Sequence, residues 1–336
     1  MKYDSLDVIG IGNAIVDVLA SADDGFLARH DMTKGSMMLI DEAQAKIIYE
    51  TMGPTLVSSG GSAANTAAGV ASLGGKCGYI GKVNDDNLGM EFRHDILAAG
   101  VDYRIPAATS GPSTARCLIL VTPDAQRTMN TYLGACVNLH PDDIDLTFVE
   151  SAQITYLEGY LYDPPMAQEA FHKAAQIAHA KGRKVALSLS DSFCVHRHRD
   201  AFKQLVELHV DALFANEAES NALFGTATMR DAIAQLRSVT EIASITLGPR
   251  GSLVVTQDDV IEIPPTDVDR VVDTTGAGDL YAAGFLYGMT NGATLVESGY
   301  LGSMAAAEVI THMGGRPQLP LKTLVAQARE RVLAER

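Results

Sequence analysis

The densest chemistry in the chain lies in one short run, Asp273-Thr274-Thr275-Gly276-Ala277-Gly278-Asp279, followed by a helix with Ala282-Ala283-Gly284-Phe285-Leu286. Small residues let the backbone pack closely, so successive N–H groups at a helix start can converge on one anion. A carboxylate at the end of that turn stands where the anion is held. The pairing suits phosphoryl transfer: amides of Gly276, Ala277 and Gly278 stabilise charge on the moving group, and Asp279 accepts a proton from the attacking hydroxyl. A plain glycine turn capped by Asp279 would explain Gly-Ala-Gly-Asp alone. The preceding Asp-Thr-Thr and the glycine-rich helix favour the chemical reading.

Other stretches carry polar residues with no obvious structural duty. Gly60-Gly61 opens an Ala-rich helix from Ser62 to Ser72, with Ser62 available as its cap. Asn65 is an odd choice in so apolar a stretch, because a buried Asn needs partners. Gly12-Asn13-Ala14-Ile15-Val16-Asp17 follows the first strand, and Glu158 has no apolar excuse within Tyr156-Leu157-Glu158-Gly159-Tyr160-Leu161. Asn216-Glu217-Ala218-Glu219 is by itself also a plausible helix start.

In this order, these segments closely resemble the signatures of the ribokinase-like (pfkB) family of carbohydrate kinases. Asp273–Asp279 resembles the second signature and Gly60–Ala67 the first, and the five matching elements span nearly the whole chain. The resemblance implies ATP as donor, Mg²⁺ as cofactor, and an acceptor held by Asp17, Gly60, Gly61 and Asn65. It implies that Asn216 and Glu219 organise Mg²⁺ and phosphate through water, since Mg²⁺ keeps several of its waters. It makes Thr246-Leu247-Gly248-Pro249-Arg250-Gly251 a nucleotide loop, with Thr246, Gly248 and Gly251 close to ATP. Some relatives hold a monovalent cation with loop carbonyls; here those of Asp273 and Thr275 would face the segment around Val309, His312 and Gly314. A hydroxyl ligand used by ribokinase is replaced by Gln318, which leaves a K⁺ requirement open. Asn84-Asp85 departs from the Gly-Asp common after the first signature.

Asn13, Thr114-Ala115-Arg116-Cys117 and the Tyr156–Leu161 segment resemble the adenosine kinase branch. Tyr160 would then form an aromatic wall for a base, or else fill the interface beneath the lid. Glu158 would face the acceptor or pair with a cation. The expected activity is phosphorylation of a primary hydroxyl of a nucleoside, adenosine first. A ribokinase- or fructokinase-type sugar kinase is the alternative, and a catalytically silent nucleoside- or sugar-binding regulator the rival from another class. Retention of Asp279 and the small-residue turn speaks against the last.

The elements that must position these residues alternate in type. Short apolar runs (Val8–Gly12, Cys77–Gly81, Ile154–Leu157, Val185–Leu189, Ala212–Ala215, Ser244–Leu247) are separated by helical stretches (Met90–Ala99, Met166–Lys181, Arg199–Glu207, Met229–Ser238). Such repetition predicts an α/β fold, in the ribokinase-like case a three-layer αβα unit with a mostly parallel sheet. Two stretches break the rhythm and read as antiparallel strands with turns. Thr114–Val121 and Arg127–Tyr132 around Pro123-Asp124-Ala125-Gln126 form a hairpin. The expected division is a large domain from 1–17, 58–103 and 139–336, and a small β lid from 18–57 and 104–138.

The 336 residues suit one large domain with a smaller one, and 47% apolar content supplies a core. A net charge of −15 disfavours nucleic acid and anionic lipid as partners. Cys77, Cys117, Cys136 and Cys194 show no paired spacing, so buried free thiols are expected. Acids near the N-terminus and the lack of a long apolar run point to a cytoplasmic protein; because lids pair in some members of the resembled family, a monomer and a homodimer are both expected states. A dinucleotide fingerprint fails because Ile15 stands where the third glycine belongs, and Gly75-Lys76 lacks a Walker context. His196-Arg197-His198 offers two histidines without a third ligand and reads as a polar loop.

Overall fold

Leu6–Ile11 is apolar apart from Asp7 near its start, with Val8, Ile9 and Ile11 fully buried, as expected of a strand in a parallel sheet covered on both faces. The computed structural model describes residues 5–124 and 126–334; Ala125 of the predicted turn and the first four residues lie outside them. The strands are β1 (Leu6–Ile11), β2 (Ile15–Ser21), β3 (Met37–Leu39), β4 (Leu56–Ser59), β5 (Cys77–Ile80), β6 (Asp102–Tyr103) and β7 (Ala115–Val121). They continue as β8 (Arg127–Tyr132), β9 (Ala152–Glu158), β10 (Lys184–Ser188), β11 (Ala212–Asn216), β12 (Ile242–Thr246), β13 (Ser252–Thr256) and β14 (Val260–Ile263). The first helices are α1 (Asp24–Arg29), α2 (Glu42–Thr51), α3 (Ser62–Ser72), α4 (Asn87–Ala98), α5 (Leu146–Glu150), α6 (Pro165–Ala180) and α7 (Ser192–Arg197). Then come α8 (Arg199–His209), α9 (Glu217–Phe224), α10 (Met229–Val239), α11 (Ala277–Thr290), α12 (Leu295–Val309) and α13 (Leu324–Ala334).

A nine-stranded sheet runs in the order β14-β13-β12-β11-β10-β9-β1-β5-β6, parallel except for β13, which pairs antiparallel with both β12 and β14. Helices α3, α11 and α12 form one packed group on it, and α5, α6 and α8 another, so both faces are covered. This is the helix-covered, mostly parallel sheet that the alternation predicts, with the smaller second sheet that the resemblance to the ribokinase-like family implies. Among the described residues, no helix is long and apolar enough to cross a membrane. All four cysteines are buried and free.

A second sheet, ordered β3-β8-β7-β2-β4, stands beside the first. The predicted hairpin is present as antiparallel β7 and β8, but β2 pairs with β7, and β3 with β8, in parallel. The expectation of antiparallel strands alone in 18–57 is also corrected, because that segment contains α1 and α2. Their starts are written locally: the Asp23 side chain accepts from the Phe26 N–H, and Asp41 and Gln44 form a reciprocal capping box. Strands separated by such helices can return in parallel, which a tight turn forbids. β2 begins at Ile15, so Asp17 belongs to the small sheet.

Register assigns the small sheet two unlike faces. Val18, Ala20, Leu118 and Leu120 pack under Leu27, Ala45 and Ile48 of α1 and α2. The alternate residues form two rows, Asp17–Cys117–Thr131–Leu39 and Leu19–Ile119–Met129–Met37. A one-residue slip would exchange these faces.

Candidate active site

A cavity of about 410 Å³ opens between the two sheets. Its large-sheet wall is built at the carboxyl ends of parallel strands, from Glu158 of β9, Ser188 of β10, Asn216 of β11 and Thr246 of β12. Open α/β sheets present ligand sites at this end, where loops diverge from the strands. The small sheet contributes Ile15, Asp17, Met37, Leu39, Ile119 and Met129.

Two helices begin at the cavity without a side-chain cap. The Ncap of α11 is Gly276, left-handed at φ 77°, and that of α3 is Gly61, at φ 88°. Gly276 is required twice over, since a Cβ there would also lie 2.5 Å from the Gly315 carbonyl oxygen. Asp279 sits in the first turn of α11 and ties the two starts together. It accepts from Ser62 Oγ at 2.6 Å and from Asn65 Nδ2 at 2.9 Å. Ser62 is therefore not the cap of α3; its hydroxyl orients a carboxylate remote in sequence. Burial raises the Asp279 carboxyl above the usual range, while these two donors and the Arg127 charge oppose the rise.

A row of acceptors lies beside this pair of helix starts. Asn13 and Glu158 are each 1% exposed, so their partners decide their state. Glu158 Oε1 accepts from Asn13 Nδ2 at 2.8 Å and its backbone N–H at 3.3 Å, and Oε2 accepts from the Ala63 N–H at 2.8 Å. Neither expected partner of Glu158, acceptor or cation, is needed to explain it. Asn13 Oδ1 and Asn65 Oδ1 are buried without a partner in the protein. The Asp17 carboxylate lies against Gly60, where a Cβ would fall 2.2 Å from Oδ2. Burial pushes the Asp17 carboxyl up to about 7; Arg316 pulls it down most among the charges. Burial also lifts Glu158 to about 7 against its three donors.

Of two neighbouring tyrosines, Tyr162 stacks on Phe202 in the core, and Tyr160 lines the cavity. Asn13, Asp17, Gly61, Asn65 and Tyr160 thus meet in one place, with Gly60 directly behind Asp17.

The other end of the cavity holds Asn216, Glu219, Thr246 and Thr274 to Asp279. Asn216 and Glu219 are a reciprocal capping box for α9: Asn216 N–H and Nδ2 donate to Glu219, and the Glu219 N–H donates to Asn216 Oδ1. Burial pushes the Glu219 carboxyl up to about 7. Thr246 lines the cavity, whereas Gly248 and Gly251 lie off it in the following turn. Asp273 is turned away too, accepting from the Thr275 N–H and hydroxyl and from the Gly314 N–H.

Arg127 is a functional candidate that the sequence reading missed. From the start of β8 it reaches across the cavity, donating to the hydroxyls of Thr274 and Thr275 and standing 3.4 Å from Asp273. It is the one cation among the described residues lining the cavity. The local signal was only an Arg after a hairpin turn. His198, by contrast, pairs with Asp163, and the described residues contain no group of three or more His, Cys, Asp or Glu able to hold a metal.

A mostly parallel sheet, a smaller sheet across its carboxyl end, and a carboxylate at an uncapped glycine-rich helix start define a kinase of the class that phosphorylates hydroxyl groups. The chain belongs to the pfkB family of carbohydrate kinases, whose model matches residues 50–322. The adenosine kinase of Sinorhizobium meliloti is 50% identical, with a TM-score of 0.93 over 98% of this chain and all of that one. A structure described as a probable sugar kinase protein from Rhizobium etli CFN 42 is 46% identical, with a TM-score of 0.94 over 97% of this chain and 99% of its own. The adenosine kinase of Saccharomyces cerevisiae is 29% identical over 91% of this chain and 95% of that protein.

Proposed function

We propose that this kinase transfers the γ-phosphoryl group of ATP to a primary hydroxyl of a nucleoside, with adenosine as the preferred acceptor. The observation that carries this reading is the contrast between the cavity's walls. Asn13 Oδ1 and Asn65 Oδ1 present hydrogen-bond acceptors without protein donors, and the Asp17 carboxyl lines the cavity with them, which suits hydroxyls of a sugar. Ile15, Met37, Leu39, Ile119, Met129 and Leu133 form an apolar surface near Tyr160, which suits a planar base. A free sugar uses only the first wall. The similarity to two adenosine kinases supports the same reading.

In this reading ATP lies along Thr246 with its γ-phosphate over the first N–H groups of α11, and Gly248 and Gly251 shape the loop behind it. Asp279 takes the proton of the attacking hydroxyl, held by Ser62 and Asn65 with one lone pair toward the acceptor. Gly61, Asn65, Asn13 and Asp17 orient the sugar. The donor set near Glu219 fits a hydrated Mg²⁺ better than a cage, and the ion would arrive on the nucleotide, held through water, and neutralise phosphate charge. The Gly314 N–H bond to Asp273 and the Val272 N–H bond to the Ile310 carbonyl join the two loops whose carbonyls, those of Asp273 and Thr275 included, are the candidate K⁺ ligands.

A coupled ADP assay across adenosine, other nucleosides, ribose and fructose, with K⁺ or Na⁺, tests the reading. Adenosine should give the highest kcat/KM. Faster turnover of ribose would overturn the nucleoside assignment, and tight binding without ADP release would favour a silent binder.

Asp17→Asn should raise the acceptor KM roughly tenfold or more with little change in ATP KM. The same change should alter stability with a definite sign. The Asp17 carboxyl is raised from 3.8 to about 7, so between those values the folded protein keeps a proton that the unfolded chain releases. Its contribution to stability therefore falls as pH rises through that window. The Tm of the Asn variant relative to wild type should grow from about pH 5 to about pH 8. A constant difference would mean that Asp17 is not shifted.

A further inference from the structure

We infer that Glu158 is a positioning residue: it fixes the side-chain amide of Asn13 with its oxygen turned into the cavity, so that the acceptor must offer a hydrogen-bond donor at that point. The inference deepens the proposed function and rests on the cavity being the acceptor site.

A carboxyl oxygen that already accepts a backbone N–H, as Glu158 Oε1 does from Asn13, turns lone pairs and not a proton toward its neighbours. Glu158 Oε1, 2.8 Å from Asn13 Nδ2, therefore admits only the NH₂ end of that amide. The opposite end, Oδ1, is left buried and without a protein partner. Glu158 cannot swing away, because Oε2 is held by the Ala63 N–H at 2.8 Å. Its space is reserved as well: a Cβ at position 12 would lie 2.2 Å from Oε2 and 2.7 Å from the Ala63 Cβ. The described structure gives Glu158 no cation, and three donors from Asn13 and Ala63 compensate its burial.

The consequence is a polarity rule for the acceptor. A hydroxyl or amino N–H facing Asn13 completes the buried oxygen. An ether oxygen or an unprotonated ring nitrogen meets it acceptor to acceptor and leaves both unpaired. Were the amide free to turn, its NH₂ group would welcome those same groups. Glu158 thus acts on the acceptor through Asn13, without touching the reacting atoms.

The test is a double-mutant cycle in the full-length enzyme at saturating MgATP, using whichever acceptor the wild type phosphorylates. In Glu158→Gln, the side chain presents one acceptor end and one donor end, so either Asn13 or Ala63 loses its acceptor and the hold on the Asn13 amide is weakened. The acceptor KM should rise about tenfold or more while kcat stays within about threefold. Asn13→Ala should give a similar rise, and the double variant should be no worse than Asn13→Ala alone. An unchanged KM in Glu158→Gln overturns the inference, as does a loss in kcat with KM unmoved. Equal effects of Glu158→Gln with and without Asn13 also overturn it, because Glu158 would then act independently. Glu158→Met, of similar volume, supplies the same cycle if the Gln variant fails to fold, since apolar replacement of a buried charge is commonly tolerated. Inertness toward adenosine with activity on ribose would defeat the nucleoside reading and leave this cycle measurable on ribose.

Discussion

Asp279→Asn should lower kcat by about 10²- to 10⁴-fold while ATP affinity is retained. Asp279 stands in the first turn of α11, whose uncapped start would hold the γ-phosphate in the proposed reaction, and its two oxygens are tethered to Ser62 and Asn65 of a second helix start. An asparagine keeps the shape but cannot take the proton, and its NH₂ end would face a donor. Burial raises the carboxyl, so in the wild type kcat should decline as pH falls and Asp279 is protonated. The variant should lack that acidic limb. Turnover near the wild-type rate, or a surviving limb, would show that another group takes the proton.

Arg127→Met should reduce kcat by about 10²- to 10³-fold with a smaller effect on acceptor KM. In a cavity rimmed by Asp17, Glu158, Glu219 and Asp279, Arg127 is the one lining cation among the described residues, so under the proposed function it should carry much of the burden of balancing a transferred phosphoryl group. Arg127 is held beside Thr274, Thr275 and Asp273, within the same turn that leads to the anion-holding amides. Because it comes from β8, its charge is delivered only while the small sheet sits over the site. Methionine preserves most of the packing of the stem. Arg127→Lys should recover part of the loss, as a point charge without the fork. Unaltered kcat in Arg127→Met, measured with single-turnover kinetics, would reduce Arg127 to a structural latch.

Much of this was legible in the sequence because it is written locally. Buried parallel strands announce themselves as apolar runs, and the hairpin of β7 and β8 as alternation across a turn. The Gly-Ala-Gly-Asp turn and Asn65 betray themselves by residue type. What was missed depends on contacts far apart in the chain. Ser62 looked like a cap because nothing nearby indicates Asp279, and Arg127 gives no local hint of Thr274 and Thr275. The parallel pairing of β2 with β7 follows from a long excursion through α1 and α2, whose Asp23 and Asp41 caps were available to be read but were masked by the expectation of strands. Glu158 was noticed as anomalous, yet its partners Asn13 and Ala63 come from other elements.

The glycines behind the two acids also constrain how this site can vary. A side chain at position 12 collides with the Glu158 carboxylate, and one at position 60 with that of Asp17. The dependence runs in one direction, since glycine tolerates the absence of an acid but the acid does not tolerate a side chain in its place. At position 60 only the Asp17 carboxylate stands in the way, whereas at position 12 a Cβ would also meet that of Ala63 at 2.7 Å, so removing Glu158 alone does not open it.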